Sequence, residues 1–354
     1  MRSVVKLIKK TYHMAGAQES KVVLHNVAFL SWLQLITYLL PLVILPYLFR
    51  SLGPEKFGLI SFAQAFVQYF MILTDYGFSV SATKEISLCR DNKAKVSEVY
   101  ASVMTIKTIL LIVSFLILGA VVHSVPKFKH DWLVYTLSFG AVAGNALFPV
   151  WFFQGTEKMK YIANLNVIGE LIYASFIFLF ISGPQDYMMV PLITSSVFLA
   201  TGVMGQYIAF RKFGVAFKFP RYPYIRRQLA AGWNVFISIV AINAYTTTRI
   251  FAVGLLTNNT MTGFYSIAEK IANVAQTFPL SSFSQAIFPR LSKIFDKNKT
   301  RALEIMRQVQ RITINIALAC LPIIFISAPL IVNAVCGANY PQAVLSLQLL
   351  LISI

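Results

Sequence analysis

Apolar runs of about twenty residues, separated by short polar or basic stretches, fill the sequence almost from end to end. Val27–Phe49, Ile109–Val122 extended by its polar N-terminal turns, Tyr161–Ile181 and Ile312–Ala328 are examples. A bilayer core needs roughly 20 apolar residues per helix. In lipid the backbone can satisfy its own hydrogen bonds only as a helix or a closed barrel, and these runs are too long and too uniformly apolar for barrel strands of about ten alternating residues. The pattern predicts helices over 26–49, 57–82, 98–122, 131–153, 161–182, 188–210, 229–256, 263–288, 307–328 and from about 340 onward. The expected fold class is all-α, a polytopic transmembrane helical bundle.

Polar positions recur at helical spacing inside several of these helices. Ser61, Gln64, Gln68 and Asp75 follow one another at steps of three, four and seven, which places them on one face. The first helix offers Ser31, Gln34 and Tyr38 before Pro41 and Pro46. The seventh offers Asn234, Ser238, Tyr245 and Arg249, and the eighth Ser266, Glu269, Asn273 and Gln276. Such stripes serve either as hydrogen-bonding glue between helices or as the lining of a shared aqueous cavity.

An offset of 205 residues brings two stretches into register. Gly58, Ser61, Ala63 and Gln64 fall on Gly263, Ser266, Ala268 and Glu269; Phe78-Ser79 falls on Phe283-Ser284, and Ser87 on Ser292. Internal repeats are a recurrent architecture of secondary transporters, with the substrate route between the halves. The expected organisation is a cytoplasmic N-terminal segment (1–25), a lobe of six helices (26–212), a basic linker (213–228) and a pseudo-symmetric second lobe (229–354). The second lobe is expected to be incomplete, because about four helices follow the linker and the sequence stops within the apolar run Leu349–Ile354.

Composition sharpens the picture. Hydrophobic residues make up 57% of the chain and charged ones 12%, and mean hydropathy is +0.68. The net charge of +18 would suggest nucleic acid in a soluble domain, but the location of the charges excludes that reading. Lys and Arg gather at Arg2–Lys21, Lys84–Lys95, Arg211–Arg227 and Arg290–Arg311, while the opposite loops hold Arg50, Lys56, Lys127 and Lys129. By the positive-inside rule the N-terminus is cytoplasmic, and the clusters face anionic headgroups of the lipid bilayer. The first 25 residues lack the compact apolar core and small-residue site of a cleavable signal. Cys89, Cys320 and Cys336 have no metal or disulfide spacing. His13, His25, His123 and His130 lie outside the helices without metal spacing, and no nucleotide-binding glycine loop is present. No cofactor, metal or catalytic residue is expected.

Six charges lie inside apolar segments: Asp75, Lys107, Glu170, Arg249, Glu269 and Lys270. Each costs about 2.5–3.5 kcal/mol at a helix centre, so they are expected to face the interior. Arg249 and Glu269 stand at similar depths on either side of the turn at Thr257–Thr262, which allows an ion pair. Lys107 and Glu170 also stand at matching depth, and Lys270 has no obvious second acid. Together with Gln64, Gln68, Asn234, Tyr245 and Asn273, these six charges are the candidates for a substrate cavity.

The run Tyr38-Leu-Leu-Pro41 through Leu45-Pro46-Tyr47-Leu48, followed by Leu52-Gly53-Pro54-Glu55-x-Phe57-Gly58, resembles the opening of bacterial polysaccharide-unit flippases. These are the O-antigen (Wzx-type) translocases of the MATE-like MOP superfamily. Leu73–Phe78, Ser81–Ile86, Trp151–Gly155, Leu256–Asn259, Gly263–Ile271 and Gln285–Arg290 strengthen the resemblance, which spans residues 24–354. It implies two pseudo-related six-helix lobes around a V-shaped cavity. It also implies translocation of undecaprenyl-diphosphate-linked oligosaccharide across the bacterial cytoplasmic membrane for O-antigen and lipopolysaccharide synthesis. The polysaccharide polymerase and chain-length regulator are the partners it implies. A cation-coupled efflux antiporter of the same fold is the nearest alternative, although helix 26–49 carries no acid. A membrane enzyme acting on lipid-linked sugars is disfavoured by the short outer loops.

Overall fold

The computed structural model describes residues 17–274, 299–338 and 340–352; the side chains of 17–39, of 245–246 and of scattered positions between 299 and 320 fall outside that description. The helices are α1 (Ala17–Asp75), α2 (Phe78–Cys89), α3 (Lys93–Ser124), α4 (Pro126–Lys129), α5 (Trp132–Leu147), α6 (Val150–Gly155) and α7 (Lys160–Phe180). After a 3-10 turn at Pro184–Met188 come α8 (Met189–Phe213), α9 (Tyr222–Thr246), α10 (Thr248–Leu256), α11 (259–274), α12 (Lys299–Cys336) and α13 (Pro341–Ile352). Among the described residues there is no strand. Five helical stretches are long and apolar enough to cross a membrane, or six when α9 and α10, bent by 51° at their junction, count as one. The chain is therefore an all-α, multi-pass membrane protein.

The helices start and stop where local chemistry dictates. Gly53 (φ 73°, ψ 166°) interrupts α1, and Pro54 follows it. The left-handed φ suits glycine because no Cβ opposes it. The chain doubles back there: the Phe49 and Phe57 rings lie 5.2 Å apart, and Leu40 and Gln64 line the same cavity. Tyr76 (φ 46°) and Gly77 (φ 76°) end the second limb of α1, so the predicted helix 57–82 is divided into that limb and α2. Pro149 similarly divides the predicted 131–153 into α5 and α6. Orphan N–H groups find side-chain acceptors. Asn92 Oδ1 accepts from the N–H of Lys95 (3.1 Å), and Asn258 Oδ1 from that of Met261 (2.9 Å). Asp186 Oδ2 accepts from the N–H groups of Ser182 (2.9 Å) and Gly183 (3.1 Å).

Three buried clusters hold the bundle. The first joins both limbs of α1 to α7, α8, α11, α12 and α13 through residues such as Phe49, Ile177, Ile267, Val332 and Leu347. The second packs α2, α3, α6 and α8 around Tyr100, Trp151, Phe152 and Phe153. The third seats the second limb of α1 against α3, α4 and α5 through Phe62, Phe66, Phe128 and Tyr135. Buried aromatics of this size contribute contact area and edge-to-face geometry together. On the other side of α3 and α7, Ile112, Phe115, Leu116, Leu171 and Leu179 are exposed. An apolar face of this kind fits lipid, as expected of membrane helices.

Of the positions related by the 205-residue offset, Phe283, Ser284 and Ser292 lie outside the described residues, and Gly58 and Gly263 meet in space. A methyl group placed on Gly58 would run into the carbonyl of Asn259, and one placed on Gly263 would run into the carbonyl of Pro54. Pro54 and Asn259 are themselves 205 positions apart, so the two contacts are images of each other. Reciprocal contacts are what a twofold relation between the α1 limb and α11 produces at its axis, and small residues let membrane helices approach this closely. Replacing Gly58 or Gly263 by leucine should push the helices apart at a cost of roughly 1–3 kcal/mol. The check is the amount and thermal stability of the variants extracted from membranes, where unchanged values would show that the crossing is loose.

Candidate functional site

One cavity of about 760 Å³ lies within the bundle, inside the range of roughly 300–1,000 Å³ usual for ligand sites. Both limbs of α1 contribute to its wall, as do the Phe148–Val150 break, α7, α8 and α11. The doubling-back at Gly53 brings Leu40–Leu52 and Phe57–Gln64 to the same space. Much of the wall is apolar, with Pro41, Ile44, Leu45, Leu48 and Phe57 prominent. Its polar groups are Ser61, Gln64, Asn145, Asn166, Glu170, Thr194, Thr201, Lys270 and Asn273. Amides and hydroxyls supply both donors and acceptors, while Lys270 and Glu170 supply one charge of each sign.

Lys270 reaches the wall from α11, and its ammonium sits 5.3 Å from the centre of the Phe57 ring. An aromatic face stabilises a cation in a poorly solvated place while leaving its donors available. The carboxylate of Glu170 has one oxygen that is buried and without a hydrogen-bond partner in the protein. Such a group has a high cost unless something else satisfies it.

The structure sorts the sequence candidates into distinct places. Gln64, Glu170, Lys270 and Asn273 share the cavity. Glu269, 6% exposed, is not part of the cavity wall; Arg249 and Lys270 attract it, and Arg249 also lies close to Tyr265. Next to this group, the Tyr69 hydroxyl donates to Thr248 Oγ1 (3.0 Å) and Phe251 stacks on Phe62 and Phe66. Lys107 pairs with Asp75 (3.5 Å) rather than with Glu170, which stands at matching depth in the sequence. The lysine side chain is 2% exposed and the aspartate 29%. The second limb of α1 ends at Asp75, beside α3, and this supplies the acid that offsets part of the cost of burying Lys107. Gln68 is half-buried and Asn234 exposed, and neither lines the cavity. The Tyr245 side chain, together with Ser31, Gln34, Tyr38, Gln276 and Cys320, lies outside the described residues.

Asn145, Asn166, Thr194 and Thr201 join the cavity without having been singled out in the sequence. Asn166, Glu170 and Tyr173 recur at steps of four and three along α7, and Thr194 and Thr201 are seven apart on α8. The helical spacing that marked α1 and α11 would have found them. Among the described residues no three His, Cys, Asp or Glu side chains gather in a metal-holding cluster.

Comparison with known proteins agrees with this architecture. A family model described as polysaccharide biosynthesis protein matches residues 23–295. A protein of Escherichia coli strain K12 named "Putative O-antigen transporter" is 31% identical over 326 residues, covering 92% of this chain and 78% of its own length. Proteins of the same name from Shigella dysenteriae and Shigella flexneri are 28% and 27% identical. They cover 76% and 86% of this chain and 67% and 76% of their own lengths. No solved structure matches the chain at a significant level. A match over most of the length, on a multi-pass helical bundle, places the chain in the polysaccharide biosynthesis protein family.

Proposed function

We propose that this protein is a transporter that flips undecaprenyl-diphosphate-linked oligosaccharide units across the cytoplasmic membrane for O-antigen synthesis, with its N-terminus in the cytoplasm. The observation that carries this reading is the cavity itself. It combines an apolar wall, a ring of amides and hydroxyls, and a lysine, within a family whose named relatives are O-antigen transporters. A sugar offers many hydroxyls, which amide side chains satisfy from both directions. A diphosphate is a compact anion, and a cation in a low-dielectric cavity attracts it far more strongly than one in water. The lipid tail remains in the bilayer. The two bundles related by the 205-residue repeat rock against each other to alternate access. The polymerase and chain-length regulator of the same synthesis are the expected partners.

In this reading Lys270 contacts the diphosphate, and Gln64, Asn273 and the amides opposite hold the sugar. Glu170 accepts hydrogen bonds from sugar hydroxyls. Arg249 and Glu269 hold α10 and α11 in the register that presents Lys270. The pair of buried Lys107 and half-buried Asp75 braces α1 against α3.

These roles separate experimentally in a strain lacking the gene. Lys270→Ala should abolish surface polysaccharide while the protein remains at normal abundance in the membrane. Arg249→Ala should lower abundance and export together, because it removes one of the two cations, Arg249 and Lys270, that attract the buried Glu269, at a cost of up to about 3–5 kcal/mol, that of breaking a buried pair. Normal polysaccharide from an abundant Lys270→Ala variant would remove the lysine from the mechanism. The orientation has its own check: Asn259→Cys should react with an impermeant thiol reagent added to intact cells. Reaction only after permeabilisation would reverse the topology.

A further inference from the structure

Two cations outside the cavity make contacts that sequence proximity does not explain. Arg50 follows the first limb of α1 to the Gly53 turn. Its Nε donates to the carbonyl of Val335 (3.0 Å) and its Nη2 to that of Ala334. Lys127, on α4, donates from Nζ to the carbonyls of Leu255 (3.0 Å), Thr257 (2.8 Å) and Gly254. In both cases the acceptors belong to the last turn of a helix, α12 in the first and α10 in the second, or to the residue that follows it. There the carbonyls lack intrahelical partners and carry the negative end of the helix dipole.

The two clasps are related by the repeat. An offset of 205 carries Arg50 onto Leu255, whose carbonyl Lys127 holds. It carries Lys127 onto Val332, within one turn of the carbonyls that Arg50 holds. Each clasp thus joins the end of one repeat's first span to the third segment of the other. Both lie at the face of the bundle that holds Gly53 and the Gly58–Gly263 crossing. Among the described residues neither cation makes an ion pair.

We propose that Arg50 and Lys127 form a repeat-related latch that holds the two bundles together at the Gly53 face and must release for the cavity to open there. The bonding suits that task. A charge-assisted hydrogen bond to a carbonyl is stronger than a neutral one, so the closed face is held. Its acceptors are neutral, so opening separates no opposite charges, and water can replace the carbonyls at a modest cost. An acid in their place would make a much deeper trap. Opening one clasp without the other would twist the bundles about the glycine crossing, so the two release together.

This inference rests on the transport reading, but its first test does not need transport. In a background with Cys89, Cys320 and Cys336 replaced by serine, Leu48→Cys places a thiol on the cavity wall. An impermeant maleimide is applied to the Gly53 face of oriented vesicles. Labelling should be slow with the latch intact and about tenfold faster in the Arg50→Ala, Lys127→Ala double variant, the change that ~1.4 kcal/mol of lost closure produces. An equal rate in a double variant of normal abundance overturns the proposal. A second arm covers a double variant that fails to accumulate. Arg50→Cys and Ala334→Cys are bridged by a flexible bifunctional thiol reagent after membrane insertion. Bridging should stop polysaccharide export, and undiminished export by fully bridged protein also overturns the latch. Absence of export by the unbridged parent would instead fault the transport reading, and the labelling arm would still decide.

Discussion

The close crossing of the α1 limb and α11 at Gly58 and Gly263 is the constraint on which the rest of the structure depends. Each glycine lies against the carbonyl at the position four residues before its counterpart, so neither can carry a side chain without separating the helices. That approach fixes where α11 enters the bundle and therefore where Lys270 and Asn273 meet the wall supplied by α1, α7 and α8. It also brings the ends of α10 and α12 to the face where Arg50 and Lys127 hold them. Small residues serve this purpose in membranes because lipid tails offer no hydrophobic drive for helices to associate, and close packing must supply it.

The intramembrane charges divide into structural and available groups by the company they keep. Lys107 is sealed against Asp75, and Arg249 is occupied with Glu269 and Tyr265. Lys270 is attracted by Glu269 but lies over an aromatic ring at a cavity wall, with Glu170 contributing to the same cavity. A charge paired in the protein interior mainly braces helices, whereas one resting on a ring keeps its donors for a ligand. The same distinction applies to the cations at the Gly53 face: Arg50 and Lys127 are engaged by carbonyls of distant helices, and Lys56 lies over the Tyr187 ring.

Much of this was legible in the sequence, for reasons that are local. Helix positions follow from apolar run length, and Gly53-Pro54 marks the first turn. The 205-residue offset pairs Gly58 with Gly263, the two positions at which the helices come closest to each other's backbone. Helical spacing placed Gln64 and Asn273 among the cavity candidates. Pairing across helices was less legible. Depth along the membrane matched Lys107 with Glu170, but which acid faces which base depends on the rotation of each helix, and α1 ends with Asp75 turned to α3. The breaks at Tyr76-Gly77 and at Thr247 are not legible either, because the polar residues around them, such as Asp75 and Arg249, fit equally well as a polar stripe on an unbroken helix. The clasps at Arg50 and Lys127 depend on carbonyls, which carry no signature in the side-chain sequence.

The central claim is movement of a lipid-linked sugar across a bilayer, and reconstitution tests it most directly. Purified protein would be placed in vesicles containing a polyprenyl-diphosphate-linked oligosaccharide, and the fraction reachable by an impermeant lectin or glycosidase outside would be followed over time. Protein-containing vesicles should equilibrate the sugar between leaflets, and vesicles with the Lys270→Ala variant should behave like protein-free ones. Exchange no faster than in empty vesicles, from protein that is folded and inserted, would contradict the account.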